Sequence, residues 1–359
     1  MKEEGWELLL VSADGREVQS ICRVEGVPHE VIPFVKGVNY VEDFISFWLL
    51  FQLIRKERPD VIHSYDSKAG FLGMLAGSLV GIPHRIHSIT EMPVHTKDPQ
   101  KGLTFLEKWT FSNATSLWVN STGMLSFFTS NSGIDADKFK LLGSGSTLGV
   151  DLEKFNRQVL KENHLVAATM RILPGENDFI ILAIGALTKR KGVEDLIAAF
   201  LKSKIVSRSK LVLIGTFEQE EESLSQETIQ TIREHPRVVQ IDWTDHVDHH
   251  LALADVLVHP SHEEGFSNVL LEAAAMQVPI ICSNCIGNAS FIKQQKTGLV
   301  FPVGEVTVLK EAMEFAYVKR DTLASYTDAL FEEVQAKYDR KVMRKLQVDA
   351  YRQLLKNQD

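Results

Sequence analysis

Short apolar runs recur along the chain, each bounded by turn residues and followed by a stretch of helical spacing. In the first half, Trp6–Ser12 (WELLLVS), His29–Pro33, Asp60–Ser64 (DVIHS), Arg85–Ile89 and Ser116–Asn120 read as strands. Helical patterns cover Val41–Arg58, Ser67–Val80 and Leu103–Ser112. The text GSGSTLGVD at 143–151 reads as a linker. Beyond it the polar stretch Lys161–Asn177 is expected as surface loop or helix. The second half is cleaner: strands at Phe179–Gly185 (FIILAIG), Leu211–Gly215 (LVLIG), Val238–Ile241, Asp255–His259 (DVLVH), Pro279–Cys282 and Gly298–Phe301. Helices are expected at Val193–Lys202, Leu224–Glu234, Asn268–Gln277 and through the tail Glu305–Lys356.

Strands that alternate with helices and are apolar throughout argue a parallel sheet covered on both faces. The pattern therefore predicts an α/β protein of two doubly wound, Rossmann-like domains facing a crevice. The expected domains are 1–152 and 153–338, with a helix over about 339–359 packing back on the first. Residues 1–5 leave no room for a strand, glycine loop and helix ahead of Trp6. The first domain is expected to lack that unit or to be built differently.

Composition narrows the classes. A 44% hydrophobic, 24% charged chain of 359 residues is ordinary for a globular protein. Its net charge of -8 argues against general nucleic-acid binding, which depends on lysine and arginine neutralising phosphates. Three cysteines argue against a disulfide framework. Cys282 and Cys285 form a lone CxxC without the second pair a structural zinc needs. No apolar run is long enough to span a bilayer, and MKEEGWELLLVS is too short in its apolar core for a signal peptide. Phe44–Ile54 (FISFWLLFQLI), followed by Arg55, Lys56 and Arg58, reads as a core helix with a basic end or as a membrane-surface element.

The chemistry concentrates in HPSHEEGFSNVLLEAAAM at 259–276. Ser267 is placed to cap the helix, its hydroxyl accepting from an N–H near Leu270. First-turn N–H groups at Asn268 and Val269 then face outward, and the helix dipole favours an anion there, by about 0.3–1 kcal/mol. A diphosphate fits. Glu264 precedes the turn and Glu272 lies one turn inside, and carboxylates accept from hydroxyls. The pair therefore suits a ligand with phosphates in the middle and a hydroxylated ring at each end, the form of a nucleotide-sugar; a capped surface helix with solvated acids is the bland alternative. Asp245, His246, His249, His250, His259 and His262 form a histidine-rich neighbourhood, but their spacing matches no closed metal site, and none is expected.

The stretch EGFSNVLLE resembles the paired-glutamate signature of the family 4 glycosyltransferases, retaining two-domain enzymes of GT-B architecture. SYDSKAGFLGMLAG, LLGSGSTLGVDLEKF, IGALTKRKGVEDLIAAF, HPSHEEGFSNVLLEAAAMQVPII and KTGLVFPVG follow in family order and look most like its capsule and lipid-linked oligosaccharide branch. The resemblance implies that Glu264 contacts the donor sugar and Glu272 the ribose. It further implies that Gly265, Phe266, Ser267 and Asn268 form the turn under the diphosphate, with Val269, Gly185 and Gly215 also beside the donor. Lys191 maps to the phosphate-binding lysine, which with Glu264 is the expected catalytic pair. His63, Lys68, His87 and His95 fall on the acceptor side.

Three positions depart from the family. Ala186 stands where an arginine usually accompanies the lysine, with Arg190 the neighbouring substitute; Thr90 stands where a histidine is common, and Leu148 where an asparagine is. The implied activity is transfer of a sugar, UDP-linked by expectation, to a saccharide or polyprenyl-linked acceptor. No metal or other cofactor is implied. The expected location is the cytoplasm, at or near the inner membrane face. The alternatives are a degenerate homologue that binds nucleotide-sugar without turnover, and a nucleotide-sugar epimerase of the same architecture.

Overall fold

The computed structural model describes residues 4–35, 37, 39–65, 67–92, 103–172, 175, 178–218 and 223–356. The chain divides into two compact units, one of Met1–Asn120, Leu125–Leu142 and Lys345–Asp359, the other of Ser121–Met124 and Gly143–Arg344.

In the first unit the order is β1 (Leu10–Ser12), α1 (Arg16–Glu25), β2 (His29–Val31), α2 (Tyr40–Glu57), β3 (Val61–Ser64), α3 (Ser67–Val80), β4 (His84–Ile89), α4 (Phe105–Asn113), β5 (Ser116–Val119), α5 (Thr122–Asn131) and β6 (Phe139–Leu141). Local chemistry sets several boundaries. Asn39 caps α2 by accepting from the Glu42 N–H. Thr104 and Glu107 form a reciprocal capping box that starts α4, two residues later than the apolar pattern suggests. Strands β3-β4-β5-β6 make a parallel sheet, and β1 and β2 make a separate two-stranded parallel pair. In the doubly wound order 3-2-1-4-5-6, β2-β1 and β3-β4-β5-β6 are the two arms. No strand among the described residues occupies the switch position between β1 and β3. Val11 of β1 and Ile62 of β3 nevertheless pack on one apolar cluster with Ile32, Leu50, Ile54 and Leu72.

The second unit continues with α6 (Glu162–Ile172), β7 (Phe179–Ile184), α7 (Val193–Lys202), β8 (Ser209–Ile214), α8 (Gln226–Glu234), β9 (Val238–Ile241), α9 (Val247–Leu253), β10 (Val256–His259), α10 (Asn268–Ala275), β11 (Ile280–Ser283), α11 (Ile286–Phe291), β12 (Leu299–Phe301), α12 (Val306–Val318), α13 (Arg320–Lys337) and α14 (Arg340–Lys356). The tail is thus three helices, broken near Lys319 and Tyr338. From Lys345 onward α14 belongs to the first unit, where Tyr351 and Leu354 pack with Ile86 and Trp118.

The six-stranded sheet runs β9-β8-β7-β10-β11-β12, parallel throughout. Alternate residues serve opposite faces. Ile180, Leu182 and Leu257 enter one core cluster, and Phe179, Ile181, Val256 and Val258 the other. Burial on both faces explains why these strands read as continuous apolar runs. The chain reverses its winding between β7 and β10, and ligands in such sheets bind beyond the strand carboxyl ends at that switch point.

Candidate functional site

The loops that leave β7 and β10 converge beside this switch point. After β7, Gly185 donates to Ile214 O, and Gly215 after β8 donates to Ile241 O. Only glycine fits at 215: a Cβ there would lie 1.9 Å from Gly185 O, and its φ is +153°. The loop then carries Lys191 and turns at Gly192, where φ is +70° and a Cβ would lie 2.1 Å from Pro260 O. This close approach brings the Lys191 segment against the end of β10, reinforced by the His262 N–H donating to Arg190 O. A pocket there is lined by Gly185, Ala186, Leu187, Lys191, His259 and Pro260 among others.

At its edge the Lys191 Nζ lies 2.5 Å from Glu264 Oε1, and His259 Nε2 lies 3.2 Å from the same oxygen. Burial alone would raise the Glu264 carboxyl; hydrogen bonding and charge from His259, with the Lys191 ammonium, overcome it and hold the group at about 2. Glu264 is therefore a permanent anion. Its backbone carbonyl accepts from Gly287 N–H, which anchors the loop to the start of α11.

Glu272 differs. Burial pushes its carboxyl up to about 7, a rise that Lys154 and Arg340 limit and Asp248 adds to. It titrates in the physiological range. Between the two acids, Gly265, Phe266 and Ser267 are buried, Val269 is half-buried and Asn268 is exposed. Phe266 packs in a three-ring cluster with Phe291 and Tyr338, at 5.6 Å from each, and so holds the turn from below. Ser267 occupies the N-cap position of α10, but its hydroxyl makes no capping bond. The expected cap is corrected: Ser267 is buried at the N-cap position without its hydroxyl bonding a first-turn N–H. No side chain among the described residues accepts from the first-turn N–H groups of Asn268, Val269 and Leu270, which strengthens the case for an external anion there.

The positions that depart from the family fall in both units. Ala186 lines the pocket, Arg190 is half-buried beside it, and Leu148 is exposed. In the first unit, Thr90 O accepts from the Asn120 side-chain amide. Lys68 pairs with Asp43 at 2.6 Å and donates to Gly37 O. His87 is buried, with Nδ1 2.9 Å from Ser64 Oγ. His63 contacts Tyr351 and Ser88, stacks on Tyr65, and is lowered to about 3 by burial and by the charge of His87. His95 lies outside the described residues. The histidine-rich neighbourhood splits: His259 goes to Glu264 and His262 to Asp195 at 2.6 Å, while His246, His249 and His250 stay together at the start of α9, with His250 bonded to His246 O. Sequence reading missed the roles of His259 and Tyr351. The first had a signal, its place at a strand end five residues before Glu264; the second, 288 residues from its partner His63, had none.

Comparison with known proteins gives the same assignment. The family model for glycosyl transferases group 1 matches residues 170–329. The glycosyl transferase 4-like domain matches residues 1–145. The chain is 28% identical over 319 residues to a capsular polysaccharide biosynthesis glycosyltransferase, CapM, of Staphylococcus aureus, covering 88% of this chain and 81% of that one. It is 24% identical over 282 residues to an Escherichia coli UDP-Gal:alpha-D-GlcNAc-diphosphoundecaprenol alpha-1,3-galactosyltransferase, covering 76% and 70%. Among solved structures, a glycosyltransferase from Rickettsia africae has a TM-score of 0.80 at 18% identity, covering 99% of this chain and 92% of its own. The Anabaena protein HepE, solved in complex with UDP, has a TM-score of 0.79 at 14% identity, covering 97% and 100%. Nothing in these likenesses supports the epimerase or the degenerate-homologue reading. The two matched domains and the long relatives show that the chain belongs to the family 4 glycosyltransferases and is a glycosyltransferase of GT-B fold.

Proposed function

We propose that this glycosyltransferase moves a sugar from a UDP-linked donor to a saccharide or polyprenyl-linked acceptor, with retention at the anomeric carbon. One observation carries the reading. A lysine, a permanently ionised glutamate and an uncapped helix N-terminus meet at the switch point of a parallel sheet, with a second glutamate one turn inside. In this reading the diphosphate lies against the N–H groups of Asn268 and Val269. Lys191 leaves Glu264 for the phosphate charge, and Glu264 turns to accept from the donor sugar's hydroxyls. Glu272 accepts from the ribose. The bond from the anomeric carbon to the phosphate oxygen breaks as the acceptor oxygen attacks from the same face, and the acceptor proton passes to the departing diphosphate. Charge stabilisation by Lys191 and the helix end is the main contribution of the protein. No metal takes part in transfer.

An acceptor carried on lipid finds support in the first unit. Tyr40, Val41, Phe44 and Trp48 on α2, with Phe105 and Trp109 on α4, expose large apolar side chains, while Leu50 and Ile54 of the same α2 enter the core. Arg55 and Lys56 close α2. A core face and an exposed apolar face with basic residues at its end suit peripheral contact with a membrane. No helix among the described residues is long and apolar enough to cross one. The cytoplasmic membrane face is the proposed place of action.

Calorimetry with UDP and UDP-sugars, beside a transfer assay, tests the reading. Glu272→Ala should weaken bare UDP, and Glu264→Ala should mainly harm the sugar-dependent step. Equal losses of UDP affinity in both variants would contradict this division of labour.

A further inference from the structure

Away from the donor loop, the second unit gathers three histidines that transfer chemistry does not use. His164 lies on α6, His246 directly precedes α9, and His249 is one of its buried residues. One ring nitrogen from each lies within 4.8 Å of the other two. The ring centroids are 4.1 Å apart for His164 and His246, 5.3 Å for His164 and His249, and 5.6 Å for His246 and His249.

Three features distinguish this set from a stack of surface rings. The side chains come from two separate segments and converge on one point. His249 donates from Nδ1 to Asp248 Oδ1 at 2.8 Å, the carboxylate–histidine arrangement that fixes the tautomer of metal-bound imidazoles. The lone pair is thereby left on Nε2, which now accepts the backbone N–H of Lys161 at 3.2 Å, a long bond that an incoming ion would replace. Exposure is also graded: His249 is buried, His164 half-buried and His246 exposed. An ion can therefore enter from solvent and keep water as a fourth ligand.

We propose that His164, His246 and His249 bind one divalent transition ion of the imidazole-preferring kind, zinc first, and that the ion pins α6 to α9. Nitrogens at ~2.0–2.1 Å from a tetrahedral zinc stand about 3.4 Å apart. The three must close up by roughly 1.4 Å at most, a shift shared between rotations of the half-buried His164 and the exposed His246 side chains toward the buried His249. The proposal is independent of the donor assignment, since none of the three residues belongs to that site.

The test uses the full chain with any affinity tag removed and metal stripped by chelation. Calorimetric titration with Zn2+ should give one ion per chain at micromolar Kd or tighter, and the ion should raise Tm. His164→Ala and His246→Ala should each weaken binding at least tenfold and abolish the Tm rise, while the metal-free Tm stays near that of the parent. His29→Ala, in the other unit, should bind as the parent does. Absence of binding, or parental affinity in either cluster variant, overturns the proposal. A fall in metal-free Tm alone, with affinity kept, does so equally.

Discussion

Two part-buried polar clusters in this chain look alike and behave oppositely. Around His63 in the first unit, an imidazole, two tyrosines and a serine meet beneath Trp118. Around Glu264 in the second unit, a carboxylate, an imidazole and an ammonium meet at a loop. In the first, every partner is neutral or like-charged, so desolvation prevails and His63 is held uncharged. In the second, hydrogen bonds from His259 and Lys191 and the charge of the Lys191 ammonium outweigh desolvation, and Glu264 stays ionised. Burial by itself does not mark a reactive site. What distinguishes the second cluster is that it keeps charge in a partly dry place, with groups that a ligand can recruit.

Several experiments can break or sharpen that contrast. The largest effect is expected at Lys191→Ala, which removes the cation from the diphosphate and should lower transfer about 10²–10³-fold in kcat/KM; steady-state kinetics reads it. Next, Glu272→Ala should weaken UDP about 10–100-fold, the worth of a charge-assisted hydrogen bond of ~1.5–3 kcal/mol; calorimetry reads it. Third, Glu272 must be ionised to accept from a ribose hydroxyl, and its carboxyl sits at about 7. UDP affinity should therefore rise about tenfold from pH 6 to pH 8 and level off above, whereas Glu272→Gln should show no such rise. A flat profile for the parent chain would remove Glu272 from the site. The smallest effect concerns His63, whose folded value near 3 lies below the ordinary value of 6.5. The unfolded chain binds its proton first, so this contribution to stability is complete above about pH 6.5 and is lost as the pH falls toward 3. Denaturant titrations at pH 7 and pH 5 should show that loss in the parent and less of it in His63→Phe.

Much of the second unit was legible because its strands are buried on both faces and therefore announce themselves as unbroken apolar runs. The spacing of Glu264 and Glu272 around a small-residue turn was legible for a different reason: it is local chemistry. What the sequence hid was either polar or distant. Helix α1 escaped notice because, among its described side chains, little is buried beyond Cys22. The cap at Ser267 was misjudged because composition cannot tell whether a serine at an N-cap position bonds the first-turn N–H groups. His164 stands 82 residues before His246 on a stretch read only as surface, so only the packing of α6 on α9 brings them together. His63 was read as an acceptor-side group by resemblance, and its contact with Tyr351 from the far end of the chain had no local signal.

The interruption between β1 and β3 has a consequence for handling the protein. A two-stranded ribbon is marginal by itself, and here each arm presents a row of amides and carbonyls with no ladder partner among the described residues, next to the exposed side chains of Leu9, Leu10 and Val31. Such rims template foreign backbone. Concentrated samples should gel or precipitate through this rim before the rest of the molecule loosens, and amide exchange should reach Leu10–Ser12 first.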